Sequence, residues 1–69
     1  MNYRELTLKP RRLGCEFDRR AKGDHEIWIR IPNHARTTIP NWRSRDLKPG
    51  TVRAILRDLG ISRNEFEDA

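Results

Sequence analysis

The hydrophobic pattern of the sequence predicts an α+β fold of the order α-β-β-β-α. The sheet is expected to be three-stranded and antiparallel, with the helices on one face and a short extra helical turn at the C-terminal end. Apolar residues recur with helical spacing over 52–59 and alternate with polar residues over 25–31. Short turn-like segments also separate three successive β-rich runs. With 69 residues, the chain has room for a single domain, 1–69.

The first helix is expected to run from Asn2 to Leu13, because Leu6 and Leu13 lie seven residues apart on one helical face. Gly14 is a natural helix stop. Pro10 disturbs this pattern, since proline lacks a backbone N–H and its ring clashes with the preceding turn. We therefore expect a kinked or frayed first helix.

Three β-rich runs follow the first helix. Cys15 and Phe17 alternate with acidic residues in a short half-buried strand, and residues 19–24 form a polar hairpin loop. The second strand covers 25–31, and the third run covers 36–39. Because short turns join the runs, an antiparallel meander is expected.

Trp28 lies in the second strand, on the face opposite Ile27, Ile29 and Ile31. If exposed, its ring would be a stacking platform for a nucleic-acid base. If buried, it would cover the sheet beneath a helix or a protein partner. The alternation alone leaves both interpretations open.

The second helix is the clearest element of the sequence. Four apolar residues share one helical face: Val52, Ile55, Leu56 and Leu59. Thr51 is the expected N-cap, and Gly60 ends the helix. Ser62 and Glu65 have the spacing of a capping box and open a last short helical turn.

The charge balance favours a polyanionic partner such as nucleic acid. The chain has 15 Lys and Arg against 10 Asp and Glu, a net charge of +5. Residues 1–57 hold 14 of these basic residues and six of the acidic ones, whereas the remainder of the chain is acidic. Only three of the basic residues are Lys, and arginine binds phosphate bidentately and stacks on bases.

Several classes of protein do not fit this composition. The longest apolar run is three residues, 54–56, too short for a membrane span or a secretory signal. Cys15 is the only cysteine, and together with His25 and His34 it does not make a tetrahedral zinc site. We therefore expect a cytoplasmic protein without membrane association and without a metal or cofactor.

His25 is the first candidate for chemistry. It stands between a Gly-Asp turn and the second strand, and a histidine that titrates near neutral pH can move a proton in RNA cleavage. No second His, Asp or Ser has a local spacing that suggests a triad. The alternative is an exposed histidine at a strand end with no catalytic role.

Two further segments are candidates for RNA contact. Trp42 lies beside Arg43 and Arg45, a basic and aromatic cluster whose alternative role is a hydrophobic plug under the loop. Lys48 and Arg53 flank the start of the second helix, where backbone N–H groups and the helix dipole favour phosphate. The alternative for this pair is an ordinary solvated helix face.

Four blocks of the sequence resemble one protein family. They are KGDHEIW at 22–28, TTIP at 37–40, LKPGTVRAILRDLGIS at 47–62, and Glu65-Phe66. In this order they resemble the HicA, or YcfA-like, toxins, which are small ribonucleases of bacterial HicAB toxin–antitoxin pairs. The resemblance covers nearly the whole chain and implies a double-stranded-RNA-binding-like fold.

The resemblance also implies a function and a site. A HicA-like protein would be an mRNA interferase, a metal-independent endoribonuclease whose histidine at the start of the second strand corresponds to His25. A HicB-like antitoxin would neutralise it by covering that surface. The residues expected to contact RNA are Lys22, Arg30, Trp42, Arg43, Lys48 and Arg53.

Two alternatives remain open because the sequence departs from the family pattern. Asp24 stands where the family usually has a serine, and Trp42 stands where members often have a second histidine. The same fold and charge would suit a non-catalytic RNA-binding module. They would also suit an inactivated toxin that binds only its antitoxin.

Overall fold

Three antiparallel strands and three helices make up the computed structural model, which describes residues 1–69. In chain order the elements are α1 (Tyr3–Arg12), β1 (Cys15–Arg20), β2 (His25–Arg30), β3 (Ala35–Pro40), α2 (Pro49–Leu59) and α3 (Arg63–Asp68). A 3-10 turn, Ile31–Asn33, joins β2 to β3. The strands pair in the order β1-β2-β3, which confirms the predicted antiparallel meander, and α3 confirms the predicted short C-terminal helix.

Helix α1 passes through Pro10 and ends two residues later, at Arg12. Asn2 and Glu5 form a capping box at its start, in which each side chain accepts a hydrogen bond from the other residue's backbone N–H. Leu6 and Pro10 are both fully buried, so the proline takes the apolar position one turn after the leucine. The predicted disturbance therefore does not end the helix, because Pro10 lies in the last turn and its ring contributes to the core.

Trp28 is buried on the helix-covered face of the sheet, with none of its surface exposed. Its ring makes an edge contact with Tyr3 of α1, and the guanidinium of Arg11 lies 5.2 Å from the ring centre. The interpretation of Trp28 as cover beneath a helix is confirmed, and its interpretation as a platform for a base is wrong. The opposite face, with half-exposed Ile27 and Ile29, is the open face of the sheet.

The β1–β2 hairpin is longer than the sequence suggested. Pairing continues through a bulge after Phe17 to Arg20, which lies opposite Glu26. The predicted loop over 19–24 therefore shortens to four residues, 21–24. This extension places Arg20 next to the start of β2, close to the turn that precedes His25.

Helix α2 begins three residues earlier than predicted. Lys48 is the N-cap and Pro49 is the first helical residue, so Thr51 lies inside the first turn and makes no cap. Proline suits the first position because its fixed φ is already helical and its missing N–H would have no partner there. The other end follows the prediction, with Gly60 in the left-handed region at φ 68°.

The core lies between the sheet and the helices. Cys15, Trp28 and Ile39 belong to the same face of the three strands, as their pairing register shows. The remaining buried apolar side chains come from the helices and the segments beside them: Leu6, Leu47, Ile55, Leu59, Ile61 and Phe66. All helices thus pack on one face of the sheet, as expected.

Candidate active site at the start of the second strand

His25 is held firmly by its backbone while its side chain stays accessible. Its N–H donates to the Lys22 carbonyl at 3.2 Å, and its own carbonyl accepts from the N–H of Ala21 at 2.8 Å. It also pairs with Pro40 across the β2–β3 ladder. The side chain is 54% exposed. The tight turn therefore presents a free imidazole at the end of the sheet.

The Asp24 carboxylate is the charged group that approaches His25. Its Oδ1 lies 3.9 Å from His25 Nε2, and 52% of the Asp24 side chain is exposed. This separation exceeds hydrogen-bond distance, so Asp24 does not fix the ring in one orientation. It places negative charge beside the imidazole.

Glu26 lies directly after His25, but its side chain points to the core face, where only 7% of the residue is exposed. Its Oε1 accepts hydrogen bonds from Tyr3 Oη at 2.6 Å and from Trp28 Nε1 at 3.1 Å. Its Oε2 accepts from Asn41 Nδ2 at 3.2 Å. The carboxylate thus joins α1, β2 and the segment after β3.

Burial raises the pKa of the Glu26 carboxyl, but its hydrogen bonds from Tyr3, Trp28 and Asn41 and the charge of Arg20 together hold that pKa below its ordinary value. Burial and the hydrogen bond to Glu26 raise the pKa of Tyr3 to about 12. Near neutral pH the pair is therefore a neutral phenol donating to a carboxylate. The buried Glu26 carboxylate, here called the Glu26 anchor, thus holds a negative charge on the core side of the strand that carries His25.

Asn41 connects the anchor to the turn. Its N–H donates to the Asp24 carbonyl at 2.9 Å, and its Oδ1 accepts from the N–H of Arg43 at 3.2 Å. With its bond to Glu26, Asn41 links three backbone segments around His25. Arg43 itself has φ 57°, the left-handed region, which costs about 1 kcal/mol or more for a residue other than glycine.

A small polar cleft of about 100 Å³ lies beside this turn. Six residues line it: Arg20, Gly23, Asp24, Glu26, Asn41 and Arg43. Two arginines and two carboxylates thus line the cleft, and His25 lies in the adjoining turn without lining it. Arginine is the side chain of this set that could contact a phosphate placed against the turn. Sequence reasoning named Arg43 but missed Arg20 and Asn41, because the length of β1 and the fold of the loop are not visible in local patterns.

The other predicted RNA contacts fall in different places. Lys22 is exposed in the turn itself, close to His25 along the chain. Trp42 is half-buried against the core, with the guanidinium of Arg45 at 4.9 Å from its ring centre. The ring is therefore partly a plug under its loop, and Arg45 covers it.

Lys48, the N-cap of α2, and Arg53, within the helix, are both exposed, and neither lines the cleft beside the turn of His25. Arg53 lines a second, separate groove between α2 and α3. The groove of Arg53 is therefore distinct from the cleft beside the turn of His25, and Lys48 lines neither.

Arg30 has a structural position. Its guanidinium donates to the carbonyls of Leu59 at 3.3 Å and Gly60 at 2.9 Å, and its Nε donates to the carbonyl of Leu13 at 3.4 Å. Its Nη2 also contacts Glu65 at 3.3 Å, and only 14% of the side chain is exposed. Because its donors are used within the protein, we leave Arg30 out of the proposed RNA contacts.

Comparison with known proteins decides the family. The sequence model described as the HicA toxin of bacterial toxin–antitoxin systems matches residues 3–61. The chain belongs to the HicA toxin family. No curated protein and no solved structure shows significant similarity to it.

The HicA match covers α1, the sheet and α2, and ends before α3. It therefore includes His25, the polar cleft and the Glu26 anchor. No helix of this HicA family member is both long and apolar enough to cross a membrane. No three His, Cys, Asp or Glu side chains are grouped so that they could hold a metal ion.

Proposed function

We propose that this HicA family member is an endoribonuclease that cleaves mRNA with His25 as its proton-transfer group. The observation that carries the proposal is the accessible imidazole on a fixed backbone. The polar cleft beside its turn adds two arginines, Arg20 and Arg43. Family membership supports the toxin role, since HicA proteins are the toxins of toxin–antitoxin pairs. The protein partner is then an antitoxin, proposed to be of the HicB type and to cover the surface around His25.

The proposed reaction is attack of a ribose 2′-OH on the adjacent phosphorus. His25 accepts the 2′ proton as the new O–P bond forms, and the bond to the 5′ oxygen breaks with that oxygen gaining a proton from water. The imidazolium then gives its proton to the resulting hydroxide, which restores neutral His25 and water. The products are a 2′,3′-cyclic phosphate and a 5′-hydroxyl. Positioned proton transfer of this kind contributes about 10²–10⁴-fold to a rate.

Cationic side chains next to His25 are proposed to stabilise the phosphorane. Arg43 and Arg20 line the cleft, and Lys22 lies in the turn. Their charges would act where negative charge develops on the non-bridging oxygens, which favours the transition state over the ground state. All of these proposed groups belong to the protein, so the reaction is expected to proceed in the presence of chelator.

The test is cleavage of end-labelled RNA by the purified protein in excess chelator. His25→Asn should reduce cleavage by about 10²-fold or more, because the proton acceptor is removed. The matched control is His34→Asn. His34 is the other histidine of the chain, an exposed residue with φ 57°, a conformation that asparagine tolerates.

Cleavage by the wild type and by His34→Asn, but not by His25→Asn, is the expected result. Equal cleavage by all three proteins would contradict the role of His25. Cleavage that stops when chelator is added would contradict the proposed metal independence.

A second candidate is a protein that binds RNA or its antitoxin without cleaving RNA. The specific observation in its favour is the Asp24 carboxylate 3.9 Å from His25, which would repel an approaching phosphate. Absence of cleavage by the wild type, together with salt-sensitive RNA binding, would favour the RNA-binding module. Absence of both activities would favour an inactivated toxin that binds only its antitoxin.

A further inference from the structure

A second concavity, here called the helix groove, lies on the helical side of the molecule. It encloses about 920 Å³ between α2, α3 and the end of α1. It shares no lining residue with the cleft beside His25. The two concavities can therefore have different occupants.

The floor of the helix groove is aliphatic. Val52 and Leu56 lie there half-exposed on the outer flank of α2, whereas Ile55 and Leu59 of the same helix are buried. Leu47, Ile61 and Phe66 also line the groove. The apolar face of α2 is thus only partly covered: Ile55 and Leu59 are buried in the core, and Val52 and Leu56 remain accessible in the groove.

The rim of the helix groove is basic. Four cationic residues line it, Lys9, Arg53, Arg57 and Arg63, against one carboxylate, Glu67. Arg63 contacts Glu67 at 3.3 Å, and the Lys9 ammonium lies 5.2 Å from the ring centre of Phe66.

Arg53 is in no ion pair, so positive charge remains on the α2 side of the groove although Arg57 is paired with Asp58. The two arginines are one helical turn apart and exposed, and the nearest carboxylate to Arg57 is Asp58 at 3.9 Å. An aliphatic floor with this charge on one side is complementary to a helix that has an apolar face and acidic flanks.

We propose that the helix groove is the docking site for an acidic amphipathic helix of a partner protein. The groove runs beside α2, whose 11 residues span about 16 Å at 1.5 Å per residue, so about three turns of a partner helix would fill it. Membership of a toxin–antitoxin family implies a protein partner, the antitoxin, and the floor and rim of the groove indicate the chemistry of the docking segment. The proposal does not depend on whether the protein cleaves RNA.

Charge and chemistry argue against the other occupants. Single-stranded RNA gains affinity from bases stacked on aromatic rings, and the floor has one aromatic residue, Phe66, of which only 8% is exposed. A second copy of the chain would bring the same arginines and a net charge of +5 against this rim. An acidic helix meets neither obstacle.

The test uses a synthetic helical peptide of about 15 residues with leucines on one face and glutamates elsewhere. Its binding to the full chain is followed by fluorescence anisotropy, beside a peptide in which lysine replaces every glutamate. We expect saturable micromolar binding of the acidic peptide and binding of the lysine peptide that is at least about tenfold weaker.

Two pairs of variants locate the binding. The double change Arg53→Glu with Arg57→Glu should lower the affinity for the acidic peptide at least about tenfold. The control is Arg4→Glu with Arg12→Glu, at exposed positions of α1 outside the groove, which should change that affinity less than about twofold. Leu56→Gln should also weaken binding. Its control is Leu8→Gln, a leucine 52% exposed elsewhere on α1.

Several outcomes would overturn the proposal. These are no saturable binding of the acidic peptide, equal binding of the two peptides, or equal loss in groove and control variants. Displacement of the peptide by an RNA oligonucleotide would assign the groove to RNA. Self-association of the chain that Leu56→Gln abolishes would assign it to a second copy.

Discussion

At the scale of single residues, the neighbours His25 and Glu26 differ in role: His25 is exposed to solvent, and Glu26 is buried and hydrogen-bonded in the core. Because successive strand residues point to opposite faces, the imidazole stays accessible while the carboxylate enters the core. A buried charge is costly unless it is hydrogen-bonded, and three donors satisfy this one. We infer that Glu26 positions the turn that carries His25.

Glu26→Gln should destabilise the fold and change its acid sensitivity. Glutamine has nearly the same shape, but its NH₂ group would face side chains that donate hydrogen bonds to the carboxylate in the wild type. A loss of about 1–3 kcal/mol in the free energy of unfolding is therefore expected near neutral pH. The pKa of Glu26 is lower in the folded chain than its ordinary value of 4.5. Its stabilisation is therefore complete above that value and is lost as the pH falls through the folded pKa.

Urea unfolding of both proteins between about pH 3 and 7 measures this effect. The wild type should lose stability on acidification more steeply than Glu26→Gln. The pKa of Glu65 is also lowered, mainly by its hydrogen bond with the Ser62 backbone. Glu65 is present in both proteins, so its contribution to the acid sensitivity cancels when the two unfolding free energies are subtracted. Glu16→Gln, at an exposed strand position, should follow the wild type; parallel curves for wild type and Glu26→Gln would contradict the prediction.

At the scale of secondary-structure elements, Arg30 joins the end of β2 to the end of α2. The last carbonyls of a helix have no partner within it, and the Arg30 guanidinium donates to those of Leu59 and Gly60. Positive charge at this end also suits the helix dipole. The contact with Glu65 extends the connection to α3.

Arg30→Met should therefore lower the free energy of unfolding by about 2–3 kcal/mol, since the charged donor to the carbonyls of Leu13, Leu59 and Gly60 is lost. The urea midpoint at neutral pH measures it. Arg57→Met is the control, because the Arg57 side chain is 79% exposed and should contribute less than about 0.5 kcal/mol. Similar losses for the two variants would show that Arg30 acts only through charge.

At the scale of the whole molecule, basic charge has two distinct environments. Arg20 and Arg43 line the polar cleft beside His25, whereas Arg53 and Arg57 line the helix groove. The net charge of +5 alone does not distinguish these surfaces. RNA is the proposed ligand of the first surface, and an acidic protein helix is the proposed ligand of the second.

RNA binding should show this division in its salt dependence. Each phosphate contact on single-stranded RNA contributes about −0.7 to the slope of log K against log salt concentration. Arg43→Ala should make the slope shallower by about that amount, whereas Arg53→Ala should leave it unchanged. Anisotropy titrations between about 50 and 200 mM salt measure both slopes. A shallower slope for Arg53→Ala but not for Arg43→Ala would assign the RNA contact to the helix groove instead of the polar cleft.

The sequence by itself determined the elements whose signals are local. The stripe of α2, the glycine stop at Gly60 and the capping box of Ser62 and Glu65 all depend on residues within a turn or two of one another. The alternation of β2 likewise placed His25 at a strand start. The HicA resemblance followed from the same contiguous blocks, and the family match confirmed it.

Only the tertiary structure decided which surfaces are covered and which polar groups meet. Trp28 is buried because α1 crosses its face of the sheet, and alternation cannot distinguish that face from the open one. Arg30 reaches carbonyls about 30 residues away, and Asn41 reaches Glu26 of β2 from the segment after β3. These partners are distant along the chain, and because packing rather than local propensity brings them together, no short pattern of residues reveals them.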